Sequence, residues 1–324
     1  MKKTLVILMV LCLLVSVFTG CGDKKGEAED PADQSTAAPT PFNPGTAPTS
    51  DPVDTTSMKP EEVFNFDPDT NTIIGFQEDV VGVLDIVIPS EMLGAEVKII
   101  GEYAFSDRGL NSAVLPDTIV EIRDFAFQRN NLTEINIPSG VTYLGHWTFK
   151  KNKLTEVVIP DGITIISTGL FSDNNISKIT FPDTITLIKM NAFSKNNLTE
   201  LIVPPNVTQI ESYAFQENKI ENIEFNDSIE KIDGLAFAVN NLTSITIPKS
   251  VVEIGAATEG VDKPQLYDRF TFAYNPQISS ITMLGGNTKI CDFFIGESNH
   301  FKIAYSEGGA GTYTGSVYSK WVKE

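Results

Sequence analysis

The sequence is poor in the residue types that carry most enzyme and metal chemistry. It has three cysteines, two histidines and two tryptophans in 324 residues. The histidines, His146 and His300, stand far apart and outside any metal-binding spacing of the His-Glu-x-x-His kind. No Gly-x-Gly-x-x-Gly, Walker or Gly-x-Ser-x-Gly motif occurs. We therefore expect no catalytic centre, no metal site and no cofactor.

Positive charge is also scarce. Lysine and arginine together number 24, against 42 acidic residues, and the formal net charge is −18. Binding to a nucleic acid draws its affinity from clustered basic side chains on phosphates. The composition therefore excludes nucleic acid as an expected partner, and the acidic excess favours solubility.

A long apolar run occurs only at the N-terminus. Lys2 and Lys3 precede the largely apolar stretch Thr4–Val17, and small residues follow just before Cys21. The stretch is shorter than the roughly 20 residues of a membrane-spanning helix. It resembles a bacterial lipoprotein signal, although Phe18 stands where that pattern usually has leucine. The resemblance implies that residues 1–20 are removed and that Cys21 carries the lipid, such as palmitate; an ordinary secretory signal is the alternative.

Residues 21–60 lack the apolar side chains that a folded core needs. They are rich in serine, threonine, aspartate and alanine, with seven prolines between residues 31 and 60. Such a composition predicts a disordered tether, or else a peptide motif that a partner recognises. With Cys12 in the signal and Cys21 lipidated, Cys291 has no partner for an internal disulfide.

The rest of the chain has an internal period. Phenylalanines recur every 22 residues, and each from the second onward is followed three residues later by asparagine. Leucine or isoleucine lies two further on, and proline lies eleven after each phenylalanine except at Asn226. The phenylalanines are Phe105, Phe127, Phe149, Phe171, Phe193, Phe215 and Phe237.

Each unit predicts one short strand and one turn. In the unit that starts at Phe127, Leu132, Ile135 and Ile137 point inward, and Pro138 ends the strand because it has no N–H for a sheet ladder. A 22-residue coil cannot bury its apolar side chains alone, so neighbouring coils must stack. We expect the asparagines to form a ladder that bonds backbone groups at the turn.

The pattern Ala-Phe-x-x-Asn-x-Leu-Thr-x-Ile-x-Ile-Pro, over roughly residues 70–305, resembles the BspA-type leucine-rich-repeat family of bacterial surface proteins. The resemblance implies a repeat solenoid with a parallel β-sheet on one face, irregular loops on the other and no large helices. A parallel β-helix is the structural alternative, since runs such as Ile163–Ile166 suit a second strand in each coil.

Irregular segments flank the regular repeats, which span residues 105–255. Residues 61–104 predict an N-terminal cap, with a hairpin at Phe64–Phe76, and a first repeat whose loop is five residues longer than usual. Phe272 falls thirteen residues late, which predicts an insertion at residues 256–271. Residues 272–324 predict the last repeat and a β-rich C-terminal cap.

Two patterns could be read as chemical sites. Asp67, Asp69, Asn71 and Glu78 match positions of a calcium loop, but Thr72 replaces its glycine, so a simple turn is favoured. Cys291 and His300 could form a thiol and base, although no third orienting group is apparent.

The outward positions of the predicted strands form a third candidate site, which we favour over either pattern. Outward positions seven and nine residues after each phenylalanine form two columns, in which apolar residues border carboxylates, a mixture that suits a protein partner; β-branched residues also simply favour strands. The candidate binding residues are Val114, Glu134, Asn136, Glu156, Val158, Lys178, Thr180, Glu200, Ile202, Asn222 and Glu224, with Tyr267 and Arg269 in the insertion.

The sequence thus predicts a monomeric, exported and lipid-anchored module at the outer face of the cytoplasmic membrane or the cell surface. We expect it to bind an extracellular protein or glycan, and to meet the membrane only through its anchor. The alternatives are a structural envelope spacer and a ligand-delivery or hydrolytic lipoprotein with chemistry near Cys291.

Overall fold

The computed structural model describes residues 58–78, 80, 82–255, 271–290, 305–306, 308–315 and 321–324. Within these ranges no helix has the length and apolar character needed to cross a bilayer. Residues Pro60–Val63 form the short helix α1, and residues 305, 306 and 308 are also helical.

The remaining elements are short strands. In chain order they are β1 Phe64–Asp67, β2 Thr72–Phe76, β3 Asp85–Val87, β4 Glu91–Met92, β5 Ala95–Glu96, β6 Ile99–Ile100, β7 Ser112–Val114, β8 Glu121–Ile122, β9 Tyr143–Leu144, β10 Glu156–Val158, β11 Ile165–Ile166, β12 Lys178–Thr180, β13 Leu187–Ile188, β14 Glu200–Ile202, β15 Gln209–Ile210, β16 Asn222–Glu224, β17 Lys231–Ile232, β18 Ser244–Ile247, β19 Glu253–Ile254, β20 Ser280–Met283, β21 Lys289–Ile290, β22 Gly311–Thr314 and β23 Val322–Lys323.

The repeated phenylalanines form one continuous stack through the core. From Phe105 to Phe272 successive rings lie 5.4–5.7 Å apart between centroids, with interplanar angles of 25° or less. All of these rings are fully buried. The stack confirms that each repeat is one coil of a solenoid and that burial comes from the neighbouring coils.

The repeated asparagines form the expected ladder. In each step the side-chain oxygen accepts an N–H from the preceding coil at 2.9–3.1 Å, as Asn174 does from Leu154. The amide nitrogen of Asn174 donates to the carbonyls of Phe149, Phe171 and Ser172. The ladder therefore satisfies backbone groups that the turn would otherwise leave buried without partners.

The chain turns at each phenylalanine through residues in the left-handed conformation. Positions two before and two after Phe127 are Phe125 and Arg129, with φ of 57° and 54°. Their N–H groups, and that of Phe127 itself, donate to carbonyls of the next coil at 2.8–3.0 Å. Because the same conformations recur in the neighbouring coils, this turn adds a ladder of backbone hydrogen bonds to the phenylalanine stack and the asparagine ladder.

Two sets of parallel strands lie on different sides of the coils, although the coil that starts at Phe127 has no strand of the first set, so the strand expected around Ile135 and Ile137 is not formed. The first set pairs two strands at a time, as β3 with β7, β10 with β12 and β14 with β16. The second set consists of two-residue strands, and six of them form one continuous parallel sheet, β11-β13-β15-β17-β19-β21. We call the outward side of the first set the strand face and that of the second set the second face. The repeat solenoid is confirmed; the expectation of only irregular loops opposite the strand face is corrected, because the second-face strands pair coil to coil.

Both ends of the described stack carry antiparallel strands. At the N-terminal end, β1 and β2 form the expected hairpin, and Phe64 and Phe76 pack on Phe105 at 6.0 and 5.1 Å. At the other end, β20 pairs with β22 and β22 with β23. These elements cover strands that would otherwise expose unpaired backbone groups.

The long spacing before Phe272 does not break the stack. Phe272 lies 5.5 Å from Phe237, and Asn275 accepts the N–H of Leu242 at 3.0 Å. Ser280 pairs with Ser244, one residue later than the spacing from Phe237 and Phe272 requires. The coil therefore resumes after the additional residues, of which 256–270 lie outside the described part of the chain.

The ring of Trp147 leaves no room for a side chain at Gly169 in the next coil. It is buried, and a Cβ atom on Gly169, at the same position of the next coil, would lie 1.7 Å from the Trp147 ring. His146, beside Trp147, is half-buried and donates its backbone N–H to the Asp124 carboxylate at 2.8 Å.

Candidate binding surface

The strand face presents a column of exposed apolar side chains. Val114, Val158 and Ile202 are 57%, 63% and 66% exposed, and Val87 in the first coil is 66% exposed. Their immediate neighbours in the strands point inward, since Val157 and Leu201 are buried. Strand propensity alone does not require such exposure, because a polar β-branched residue such as threonine would also suit these positions.

Carboxylates border this column. Glu156 lies in register with Lys178, and Glu200 lies in register with Asn222. The structure places every candidate that it describes at an exposed position: Val114, Glu134, Asn136, Glu156, Val158, Lys178, Thr180, Glu200, Ile202, Asn222 and Glu224. The result is a mixed surface in which apolar groups alternate with charged ones, as in the contact regions of protein interfaces.

From Val114 to Ile202 the apolar residues of the column recur in alternate coils, whereas Val87 and Val114 pair directly in adjacent coils. Asn136 separates Val114 from Val158, and Thr180 separates Val158 from Ile202. Given a strand spacing of about 4.8 Å, the apolar groups lie about 10 Å apart. The period of the outward residues is therefore two coils, a signal that the sequence carries and that the 22-residue period conceals.

Several predicted residues lie outside the described part of the chain. These are the lipid-site residue Cys21, the insertion residues Tyr267 and Arg269, and the pair Cys291 and His300. The domain boundaries proposed for residues 1–20, 21–60 and 256–271 depend on the same segments and stay predictions.

The acidic pattern near residue 70 forms the turn between β1 and β2. The Asp67 carboxylate accepts the Asp69 N–H at 2.9 Å and the Thr70 hydroxyl at 2.7 Å. The hydrogen bond from Thr70, followed by that from Asp69, lowers the pKa of Asp67. Asn71 has a φ of 58°, which suits a turn. These contacts are those of an Asx turn, the interpretation that we favoured.

The second face carries an apolar run that sequence reasoning missed. Tyr143, Ile165 and Leu187 occupy the outward position of three successive coils, and Ile165 pairs directly with Leu187. A surface depression of about 320 Å³ lies beside Tyr143 and is also lined by Glu102, Arg123 and Asp124. Burial and the nearby Asp124 carboxylate raise the pKa of Tyr143. Two-residue strands give no alternating pattern, so the sequence did not show which of these residues point outward.

Half-buried polar groups on this side connect neighbouring coils. The Glu211 carboxylate accepts the Met190 N–H at 2.9 Å, and burial raises the pKa of Glu211. Asp233 is buried and accepts a hydrogen bond from Gln209 at 3.2 Å. Among the described residues no group of three or more histidine, cysteine, aspartate or glutamate side chains is arranged to hold a metal ion.

Stacked coils with a phenylalanine column, an asparagine ladder and parallel strands define the class of leucine-rich-repeat solenoids. A profile of the BspA type leucine rich repeat region matches residues 85–196 and 164–258 in six copies. The chain therefore belongs to the BspA type leucine-rich-repeat family.

Solved structures are similar to this chain at low sequence identity. A leucine-rich repeat protein from Bacteroides ovatus is 22% identical, with a TM-score of 0.51 over 69% of this chain and 70% of that one. A leucine rich cell surface protein from Faecalibacterium prausnitzii is 21% identical, with a TM-score of 0.44 over 80% of this chain and 57% of that one. The pneumococcal vaccine antigen PcpA is 17% identical, with a TM-score of 0.48 over 67% and 66% of the two chains. A search of curated proteins found no significant match.

Proposed function

We propose that the protein is a cell-surface binding or adhesion module, and that its strand face contacts an extracellular protein or glycan. The observation that carries this proposal is the exposed column of Val114, Val158 and Ile202. Exposed apolar groups in a regular array weaken solubility unless a partner covers them. The carboxylates that border the column would supply the polar rim of such an interface.

The construction of the solenoid supports a binding role. The side chains of the strand face project from strands whose coils are joined by the asparagine ladder and the phenylalanine stack. Residues that are fixed in this way lose little conformational freedom when a partner docks, which favours affinity. A membrane anchor at Cys21 and a tether at residues 21–60 would present this surface away from the bilayer.

Lysine substitutions at the column should weaken binding while leaving the fold intact. We expect the double variant Val158→Lys and Ile202→Lys to lose tenfold or more in affinity, because losing about 1.4 kcal/mol of contact energy corresponds to a factor of ten. The measurement is the binding of the labelled chain from Gly22 to Glu324 to intact cells, extracellular proteins and glycan arrays.

Val252→Lys is the matched control. Val252 is also exposed, at 54%, but it directly precedes the second-face strand β19 and does not belong to the strand-face column. This variant should bind as the unchanged chain does. Equal binding by the double variant and the unchanged chain would remove the strand face from the proposal. If the unchanged chain binds nothing, the envelope spacer becomes the better interpretation.

Replacement of Cys21 should release the protein from membranes. In cells that make the full chain, we expect Cys21→Ser to prevent labelling with radioactive palmitate and to move the protein from the membrane fraction to the soluble fraction. The lipid chain on the Cys21 thiol is the proposed anchor, and a serine hydroxyl at this position does not form the same thioether. Palmitate label that persists in the Cys21→Ser protein would contradict lipidation at Cys21.

A further inference from the structure

The first coil carries a hairpin that the other coils lack within the described part of the chain. In the regular coils, proline is followed three residues later by a buried isoleucine or valine, as Pro138 is by Val141. In the first coil the corresponding residues are Pro89 and Val97, and the five additional residues between them form most of the hairpin of β4 and β5. The fold therefore does not need this hairpin to close the coil.

The tip of the hairpin is an exposed leucine in a conformation that leucine disfavours. Leu93 and Gly94 form a two-residue loop with φ of 51° and 79°, the signs of a type I′ turn. Asparagine followed by glycine is the preferred sequence for such a turn, and a leucine at positive φ is uncommon. Leu93 is nevertheless 66% exposed. It therefore contributes neither good turn geometry nor a buried side chain to the folded protein.

The strands of the hairpin add a second unfavourable feature. Glu91 and Glu96 lie directly opposite each other, and both are exposed. Like charges at directly paired positions destabilise a two-stranded ribbon. Lys98 lies 2.9 Å from Glu96 and offsets part of this repulsion. Among the described residues Glu91 forms no ion pair.

The base of the hairpin is held firmly. Met92 and Val97 are buried in the core, the Val97 N–H donates to Ser90 at 2.9 Å, and the Thr118 hydroxyl donates to the Val97 carbonyl at 2.6 Å. The hairpin begins four residues after Val87, the first exposed apolar residue of the strand face. Its tip is thus an apolar group on an anchored support, flanked by two carboxylates.

We propose that the hairpin of β4 and β5 is a second binding element, which docks onto a cationic amphipathic segment of a partner protein. Apolar side chains of the partner cover Leu93, and its lysine or arginine side chains face Glu91 and Glu96. Charge complementarity selects this occupant, because two carboxylates beside the tip repel an anionic lipid surface and attract a basic one. The proposal does not depend on the strand-face column, since it rests on other residues.

The test compares peptides of opposite charge. Two short peptides, one alternating leucine with lysine and the other alternating leucine with glutamate, are titrated against the chain from Gly22 to Glu324. We expect the lysine peptide to bind and the glutamate peptide not to bind. Removal of Glu91–Ala95 joins Ser90 to Glu96 and leaves Pro-Ser-Glu-Val, which has the length of Pro138–Val141, Pro-Ser-Gly-Val, in a regular coil. This deletion keeps the residue spacing of a regular coil but also removes the buried Met92, so its fold is checked by circular dichroism; it should lower the affinity for the lysine peptide about tenfold or more.

Leu93→Asn separates binding from folding. Asparagine suits the turn, so this variant should raise Tm by about 1 to 4 °C while it lowers affinity for the lysine peptide as the deletion does. Leu284→Asn is the matched control, because Leu284 is 57% exposed at the other end of the stack and should not affect binding. Glu91→Lys should also weaken binding, and Glu230→Lys, at an exposed second-face position, should not.

Each other outcome overturns the proposal. Equal affinity of the Leu93→Asn and unchanged chains would show that the tip takes no part, and an unchanged chain that ignores the lysine peptide would do the same. Binding to phosphatidylcholine vesicles that is lost in Leu93→Asn would assign the tip to a lipid surface. The strand-face variant Val158→Lys with Ile202→Lys should keep its affinity for the lysine peptide, so failure of the hairpin and failure of the strand face are distinguishable.

Discussion

Asn174→Ala is expected to lower the free energy of unfolding by about 3 kcal/mol, because a buried donor that loses its partner costs about 1–3 kcal/mol and each lost hydrogen bond about 1 kcal/mol. The Leu154 N–H would lose its acceptor in the core. The carbonyls of Phe149 and Phe171 would lose one of two donors, since Asn152 and Asn196 also bond them. Urea unfolding followed by circular dichroism measures the change.

Asn175→Ala is the control for this prediction. Asn175 is the next residue and is also an asparagine, but its side chain is exposed. Its backbone N–H still donates to Leu154 after the substitution. We expect a change within about 0.5 kcal/mol. Equal effects of the two substitutions would contradict the structural role of the asparagine ladder.

Phe171→Ala should destabilise the protein by about 3–5 kcal/mol, the usual range for removing a buried phenylalanine ring. The ring lies 5.4 Å from that of Phe149 and 5.6 Å from that of Phe193, so its loss opens a cavity between two coils. Because each coil contacts only its neighbours, the cavity also weakens the coupling between the two halves of the array. A broader denaturant transition, or two transitions, should accompany the lower midpoint.

Phe171→Leu distinguishes the packing of a ring from simple burial. Leucine keeps most of the apolar volume and should recover more than half of the loss. An effect of Phe171→Ala below about 1 kcal/mol would mean that the ring is not confined between its neighbours.

The sequence predicts the interior of the coil well because the interior repeats. The same residue types meet themselves in the next coil, so a fixed spacing of phenylalanine and asparagine implies a stack and a ladder. Two departures of the sequence from the repeat pattern also have a structural explanation. Arg108 stands in place of asparagine in the first regular coil, where no identical coil precedes it, and its guanidinium lies over the Phe76 ring of the cap at 5.8 Å. Asn226 replaces proline, and its side chain accepts the Ile229 N–H at 2.7 Å.

The exterior is less predictable from the same pattern. The turn residues at positive φ are mostly not glycine, as Phe125 and Arg129 show, so their identity does not signal the conformation. These turn residues are held by backbone hydrogen bonds to the next coil, and such bonds are not visible in the sequence of a single repeat. The Leu93–Gly94 turn is hidden for a related reason, since leucine at its first position is contrary to turn preference.

The candidate site was predicted in part. The outward columns follow from the alternation of Ile135 and Ile137 around Asn136, and the structure places these columns in solvent. The apolar run of the second face, at Tyr143 and Ile165, was not predicted, because both Thr164 and Ile165 point outward and break the alternation. Which of these surfaces forms an interface also depends on the shape and charge of the partner, and the sequence of this chain carries no information on the partner.

Thiol labelling at adjacent residues of one strand tests most directly the claim that stacked coils turn the strand-face column to solvent. Single cysteines are placed at Val157, Val158 and Ile159, in a chain whose own cysteines are replaced by serine, and their rates of reaction with a soluble maleimide are compared. Val158 is 63% exposed, whereas Val157 and Ile159 are each 3% exposed. The account predicts rapid labelling at position 158 and labelling slower by about a hundredfold or more at positions 157 and 159, where the coil must open first. Equal rates at all three positions would contradict it.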